Sequence, residues 1–305
     1  MEISDGMKYV DDFRNKKLAD KLVRVIKSII PGRRINIMEV CGTHTHNFFR
    51  FGLDKVLPDN IRFISGPGCP VCVSPRDYID KAIAYAKEKE NIVVTFGDML
   101  RVRGSVSTLE EARVRFSNVK IAYSALDSLK IANDNPSKNI IFLAVGFETT
   151  IPTIAISIVL AKKQKINNLF FFSSLKLIPP VMEHLLRDER VKVDGFLCPG
   201  HVSVVTGEQA YKFIPRRYKI PCCIAGFEPL DILEGIYFIV EQIAKDSAVV
   251  QNQYTRVVSA SGNAQARKLI SQVFMPADAD WRGLGRVPLS GLKARKQYCD
   301  FDVEE

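Results

Sequence analysis

Residues 140–161 read IIFLAVGFETTIPTIAISIVLA, and the order of residue types in that stretch decides the fold. The apolar runs Ile140 to Phe147 and Ile151 to Ala161 each fall short of the roughly 18 residues that a membrane-spanning helix needs. The first run lacks the alternation of a half-exposed strand, so it reads as a strand buried on both faces. Gly146-Phe147-Glu148-Thr149-Thr150 then breaks the run and opens the next helix.

The same strand-then-helix order recurs outward from this point. Ile35 to Val40, Ile61 to Ser65, Ile92 to Phe96, Leu169 to Ser173, Gly195 to Cys198 and Cys222 to Ala225 are short runs rich in Ile, Val, Phe and Cys, as buried parallel strands require. Between them lie amphipathic segments. Ser74-Pro75-Arg76-Asp77 reads as an N-cap, an N1 proline and an N3 acid ahead of Ile79, Ile83 and Ala86. Pro179-Pro180 and Pro229-Leu230-Asp231 open helices in the same way.

The expected fold is therefore α/β, with two similar domains of mainly parallel sheets flanked by helices. An N-terminal helical extension over 1–34 is predicted from apolar positions between residues 8 and 30, including Val10, Phe13 and Leu22, with Pro31-Gly32 as the stop. The Asn- and Asp-rich stretch Asn133 to Ser137 is the predicted linker, giving a first domain over 35–135 and a second over 136–270. From Met275 onward no long regular pattern is legible, so 271–305 is expected to be an irregular segment packed over the other layers.

Composition narrows the function. The 305 residues are 47% hydrophobic and 25% charged, with a net charge of +9, as in a globular protein with sizeable cores. The acidic N-terminus (Glu2, Asp5, Asp11, Asp12) lacks the basic start and apolar centre of a signal peptide. A cytoplasmic protein without membrane or nucleic-acid partners is expected, since the basic residues fall in short mixed runs rather than in a tail or an aromatic-basic motif. Seven cysteines without export signals point to metal binding or thiol chemistry rather than to a disulfide framework.

Loops at the carboxyl ends of parallel strands are where such folds carry function. Four of them hold the unusual residues: Cys41-Gly42-Thr43-His44-Thr45-His46, Gly66-Pro67-Gly68-Cys69-Pro70-Val71-Cys72, Gly146 to Thr150, and Cys198-Pro199-Gly200-His201-Val202-Ser203. Cys41 supplies a soft thiolate and His44 an imidazole that ligates or moves a proton, unless the two are a buried hydrophobe and a packing residue. Cys69 and Cys72 read as a redox dithiol, or join Cys41 and His44 in a Cys3His zinc site. Glu148 is a proton shuttle, a partner for His201 or His44, or a helix cap. Asp98 is a weaker case of the same kind. Cys222 and Cys223 face opposite ways along a strand and read as core. His184 reads as surface or packing, and Cys299 stands alone. No phosphate-binding glycine motif follows any strand.

Taken in order, the motifs Cys41 to His44, Gly66 to Cys72, Gly146 to Thr150 and Pro199 to Ser203 resemble the signatures of the HypD family of hydrogenase formation proteins. Gly226-Phe227-Glu228-Pro229-Leu230-Asp231 and Trp281-Arg282-Gly283-Leu284-Gly285 extend the resemblance over nearly the whole chain from about Ile35. It implies a scaffold for building the Fe(CN)2CO group of [NiFe]-hydrogenases, working with a HypC-like small chaperone. Cyanide would come from a HypE-like donor, with HypF upstream. By motif, Cys41 is the iron-ligating thiolate, His44 the neighbour that stabilises or protonates it, and Cys69/Cys72 the adjacent redox pair. Glu148 and His201 would line the same cleft as further catalytic residues, with Thr43 and Thr149 as cofactor-binding residues. The resemblance also implies a C-terminal four-cysteine segment for a [4Fe-4S] cluster. After Cys223 this sequence holds only Cys299, so it does not supply those ligands.

Overall fold

In the computed structural model, which describes residues 11–304, the apolar runs become strands of two parallel sheets. In chain order the elements begin α1 (Lys16–Ile29), β1 (Ile35–Glu39), α2 (Gly42–Arg50), β2 (Ile61–Ser65), α3 (Arg76–Lys87) and β3 (Asn91–Thr95). Next come α4 (Leu109–Phe116), β4 (Val119–Ile121), α5 (Asp127–Asp134), β5 (Asn139–Gly146), α6 (Ile151–Gln164), β6 (Leu169–Leu175) and α7 (Ile178–Leu186). The remainder is β7 (Gly195–Pro199), α8 (Gly200–Thr206), α9 (Phe213–Tyr218), β8 (Cys222–Ala225) and α10 (Pro229–Ala244). After these follow β9 (Val250–Asn252), α11 (Ala264–Val273), β10 (Phe274–Trp281) and β11 (Gly285–Ala294).

Two compact units share the chain. The first comprises the chain up to Cys69 together with Leu185–Asn263; the second comprises Pro70–His184 and Ala264–Glu305. This differs from the division at 133–137 drawn from composition, because β3, before that stretch, pairs directly with β5, after it. Similarly, β1 pairs with β7, far along the chain. Strand pairing, not chain order, sets the units.

In the first unit the sheet order is β2-β1-β7-β8-β9, all neighbours parallel. Ile35, Ile37, Leu197, Cys223 and Ala225 from the strands pack with Ile26 of α1 and Ile232, Ile236 and Ile239 of α10. The predicted N-terminal extension is thus part of this core. Its helix starts at Lys16 because the Asn15 side chain accepts from Leu18 N–H at 3.3 Å, while Phe13 sits in a short 3₁₀ turn. Val10 lies outside the described residues.

The second unit has a sheet of order β4-β3-β5-β6, again parallel. Along β5, Ile140, Phe142 and Ala144 enter one core with Ile154, Ala155 and Ile158 of α6. Ile141, Leu143 and Val145 enter the other with Ile79, Ala82 and Ile83 of α3. The continuous apolar run is explained by this burial on both faces.

Residues 271–305 are more regular than expected. β10 and β11 form an antiparallel hairpin whose turn places Gly283 and Gly285 at φ 86° and 76°, a region that glycine enters without steric cost. Its alternation was masked by acidic and small residues, since only Phe274 and Trp281 of β10 are buried. Two three-residue strands, β4 and β9, also escaped the sequence pattern.

Candidate functional site

The site in the first unit is built where β1 and β2 end side by side, Glu39 opposite Ser65. Glu39 is fully buried at the end of an apolar strand. One of its oxygens accepts the Cys41 N–H at 2.6 Å; the other accepts the hydroxyls of Ser65, at 2.8 Å, and of Thr45. Burial pushes its carboxyl up, and these hydrogen bonds oppose that shift.

Cys41 is the N-cap residue of α2 and is 8% exposed. The Thr43 N–H and hydroxyl and the His44 N–H lie on its side of the helix start, the last of them donating to Cys41 O at 2.8 Å, and all three favour the thiolate. Burial raises the thiol pKa, these donors lower it, and the Glu39 charge raises it again, for a net rise. The loop Gly66-Pro67-Gly68 lies directly against this backbone. A Cβ on Gly68 would stand 2.3 Å from Cys41 N, and Gly42 N–H donates to Gly68 O at 3.1 Å, so only glycine permits the approach.

His44 is wholly buried, with Nε2 2.9 Å from Gly226 O and 3.2 Å from Ala225 O. Carbonyl oxygens only accept, so Nε2 carries the proton. Nδ1 is buried with no hydrogen-bond partner. Burial lowers the imidazole pKa to about 4, which keeps the ring neutral near pH 7. The resting ring therefore has an acceptor at Nδ1 and no proton there to give. Phe227 stacks on it at 4.6 Å between centroids, and His201 stacks on Phe227 at 3.9 Å. His201 leaves its other side exposed; the burial of part of the ring lowers its pKa. His44, His201 and Cys41 thus belong to one unit.

Cys69 ends that unit and Cys72 lies in the second. Cys69 is half-buried and Cys72 exposed, in a turn that precedes α3. Ser74 does not cap α3: its hydroxyl donates to Pro70 O at 3.0 Å, and Pro75 occupies the N-cap. The helix starts four residues past Cys72 because Pro75 is extended at ψ 155°, leaving Ser74 one residue too early to cap it. Among the described residues no group of three or more His, Cys, Asp or Glu is arranged to hold a metal ion. The Nε2 of His44 is already used by carbonyls.

Glu148 and Thr149 lie in the second unit. Glu148 is buried and caps a helix other than the one expected: its Oε1 accepts from Ile178 N–H, the first residue of α7, at 3.0 Å. Oε2 is buried without a partner, and burial raises the carboxyl pKa to about 7. Thr149 is exposed and lines a cavity of 540 Å³ with Asp98, Val71 and Phe96. Lys176, absent from the sequence reading, is 2% exposed, with Nζ 3.0 Å from Ser174 Oγ and 5.7 Å from the centroid of the Trp281 ring. Cys198, Cys222 and Cys223 are fully buried core residues.

Two further polar residues escaped notice, and a third, Asp231, was read only as a helix-start acid within the Gly226 to Asp231 motif. Glu39 was detectable as a lone acid closing an apolar strand. Gln253 gave no local signal, because it looks like an ordinary loop amide until its partners are seen.

Among the described residues no helix is long and apolar enough to cross a membrane. Residues 16–305 match the family described as HypD, hydrogenase formation hypA family. The chain is 42% identical over 305 residues to the hydrogenase maturation factor HypD of Escherichia coli K12, covering 98% of this chain and 82% of that protein. It is 43% identical over 307 residues to HypD of Azotobacter vinelandii and 41% over 308 to HypD of Cupriavidus necator, each covering 98% of this chain and 81% of the relative. With a match over nearly its whole length and the Cys41, Gly68 and His44 arrangement in place, the chain belongs to the HypD family.

Proposed function

We propose that this protein is a hydrogenase maturation factor that holds iron at Cys41 while cyanide and carbonyl ligands are added to it. The observation that carries the reading is the single thiol at the N-terminus of α2, with the Gly68 backbone packed directly against it. A soft thiolate suits low-spin iron bearing diatomic ligands, and one protein thiolate leaves positions open for them. The thiol proton must leave when iron binds, and the Nδ1 of His44 is an acceptor of the right protonation state. Here iron is cargo. A HypC-like chaperone shares it and a HypE-like donor supplies cyanide, both as the family reading implies.

Cys69 and Cys72 act in this reading as a dithiol that yields two electrons and two protons on closing to a disulfide. The buried Cys198, Cys222 and Cys223 and the lone Cys299 do not fit a four-cysteine cluster, so no step is drawn through one. The work is placed in the cytoplasm, where thiols stay reduced.

Infrared spectra of the protein purified with its small chaperone test the reading, since bound cyanide and carbonyl absorb where protein does not. Cys41→Ala is expected to remove those bands; retained bands would overturn the assignment. A second reading, a thiol–disulfide oxidoreductase, is favoured by the exposure of Cys72. It predicts catalytic reduction of a protein disulfide that is lost in Cys72→Ser and retained in Cys41→Ala.

A further inference from the structure

The two carbonyls that receive the His44 hydrogen bond lie at the end of β8, and what holds them is a chain of side chains that runs from Gln253 and Arg256, outside every motif, to Asp231. Gly226 N–H donates to Gln253 Oε1 at 3.1 Å. Because that oxygen faces a donor, the amide orientation of Gln253 is settled: Nε2 points the other way, to Asp231 Oδ1 at 2.8 Å and Glu234 Oε2 at 3.0 Å. Asp231 is fully buried and accepts both Arg256 terminal nitrogens, at 2.8 and 2.5 Å. Arg256 in turn lies over Phe13 at 4.1 Å and Tyr254 at 4.5 Å.

We propose that Gln253 is a positioning residue that holds the Ala225–Gly226 peptide, whose carbonyl lies 3.2 Å from His44 Nε2, so that His44 keeps its proton on Nε2 and presents Nδ1 as an acceptor. A hydrogen-bond partner on one ring nitrogen commonly sets the tautomer of a functional histidine; here the partner is a pair of carbonyls, and Gln253 fixes that of Ala225 through the Gly226 N–H. From His44 to Asp231 the donors run one way: His44 donates to the Ala225 carbonyl, the Gly226 N–H of that same peptide donates to Gln253, and Gln253 donates to Asp231, which accepts Arg256 from its other side. Gly226 is enforced too, since a Cβ there would meet Asp231 Oδ2 at 2.2 Å. The structural claim concerns His44 alone. Its consequence for iron rests on the scaffold reading.

The test is ¹⁵N-detected long-range NMR on the intact, histidine-labelled protein, with His44→Gln to assign the signal. Wild type is expected to show one tautomer at His44, with a slowly exchanging Nε2–H. Gln253→Met keeps most of the volume and drops all three side-chain hydrogen bonds. It should speed exchange of that proton by roughly fivefold to tenfold, the equivalent of one neutral hydrogen bond, and should populate the Nδ1–H form. An unchanged His44 signal in folded Gln253→Met would overturn the proposal. If that variant does not fold, Glu234→Ala, which frees one side of Nε2, should show the same change more weakly, and no change there overturns it as well. A shifted tautomer with undiminished iron retention would support the positioning role and count against the scaffold reading of His44.

Discussion

The Nε2 of His44 and the carbonyl oxygen of Gly226 lie 2.9 Å apart across 182 residues of chain. This contact ties the first motif loop to the end of β8 and decides the chemistry of the imidazole. A wholly buried ring bound only by carbonyls is a neutral ring.

Stability at acid pH should report that neutrality. The unfolded His44 takes a proton near 6.5, whereas the folded ring waits until about 4. Its contribution is present above pH 6.5 and is lost as pH falls toward 4, roughly 3 kcal/mol in full. Urea titrations of His44→Gln across pH 4 to 7 are expected to show a shallower loss than wild type. An equal slope would mean that the ring is charged in the fold.

Glu148 has the opposite sign. The folded carboxyl holds its proton to about 7 and the unfolded one only to 4.5, so this contribution is full below 4.5 and is lost as pH rises to 7. Between 4.5 and 6.5 it offsets the His44 slope. In Glu148→Gln, whose carbonyl still accepts from Ile178 N–H, the decline toward pH 8 should disappear, so the variant gains on wild type at pH 8 relative to pH 5. Thermal melts at the two pH values decide this.

Gly68 has no room for a side chain. Its Cβ would stand 2.3 Å from Cys41 N and 2.5 Å from Cys41 Cα, and backbone cannot yield as a flexible side chain does. Gly68→Ala should destabilise by about 2 kcal/mol through overpacking and push the loop off Cys41. A thiol-reactive probe should then label Cys41 faster than in wild type. A variant with wild-type melting and labelling would contradict the close approach.

Asp231→Ala removes the acceptor of two Arg256 nitrogens, of Gln253 and of Glu228 N–H. Breaking a buried pair costs about 3–5 kcal/mol, but Arg256 keeps 36% of its side chain exposed and can rehydrate, so about 2–3 kcal/mol is expected. The start of α10 should fray first, because its capping box is lost. Amide exchange at Ile232 and Leu233 measures it.

Much of the scaffold was readable. The runs Ile61 to Ser65 and Cys222 to Ala225 coincide with β2 and β8: β8 is buried along its whole length, and the edge strand β2 is bounded by Pro58-Asp59-Asn60 before it and Gly66-Pro67 after it. β4 and β9 are three residues each and too short for any period to show. Ser74 looked like a cap from its place before Pro75, yet the extended proline moved the cap by one residue. For the site, Cys41, His44 and Cys69 were legible from their density in one loop pair, and Glu39 only in hindsight.

What the sequence alone determined is the α/β class and the placing of Cys41, Cys69, Glu148 and His201 at strand ends, since apolar periodicity and loop chemistry are local properties of the chain. The tertiary structure alone decided which strands pair, that Gly68 packs on Cys41, and that His44 is a neutral acceptor governed by Gly226 and Gln253. Those outcomes depend on hydrogen bonds and burial between segments up to 182 residues apart, and neither desolvation nor a tautomer is a property of a residue by itself.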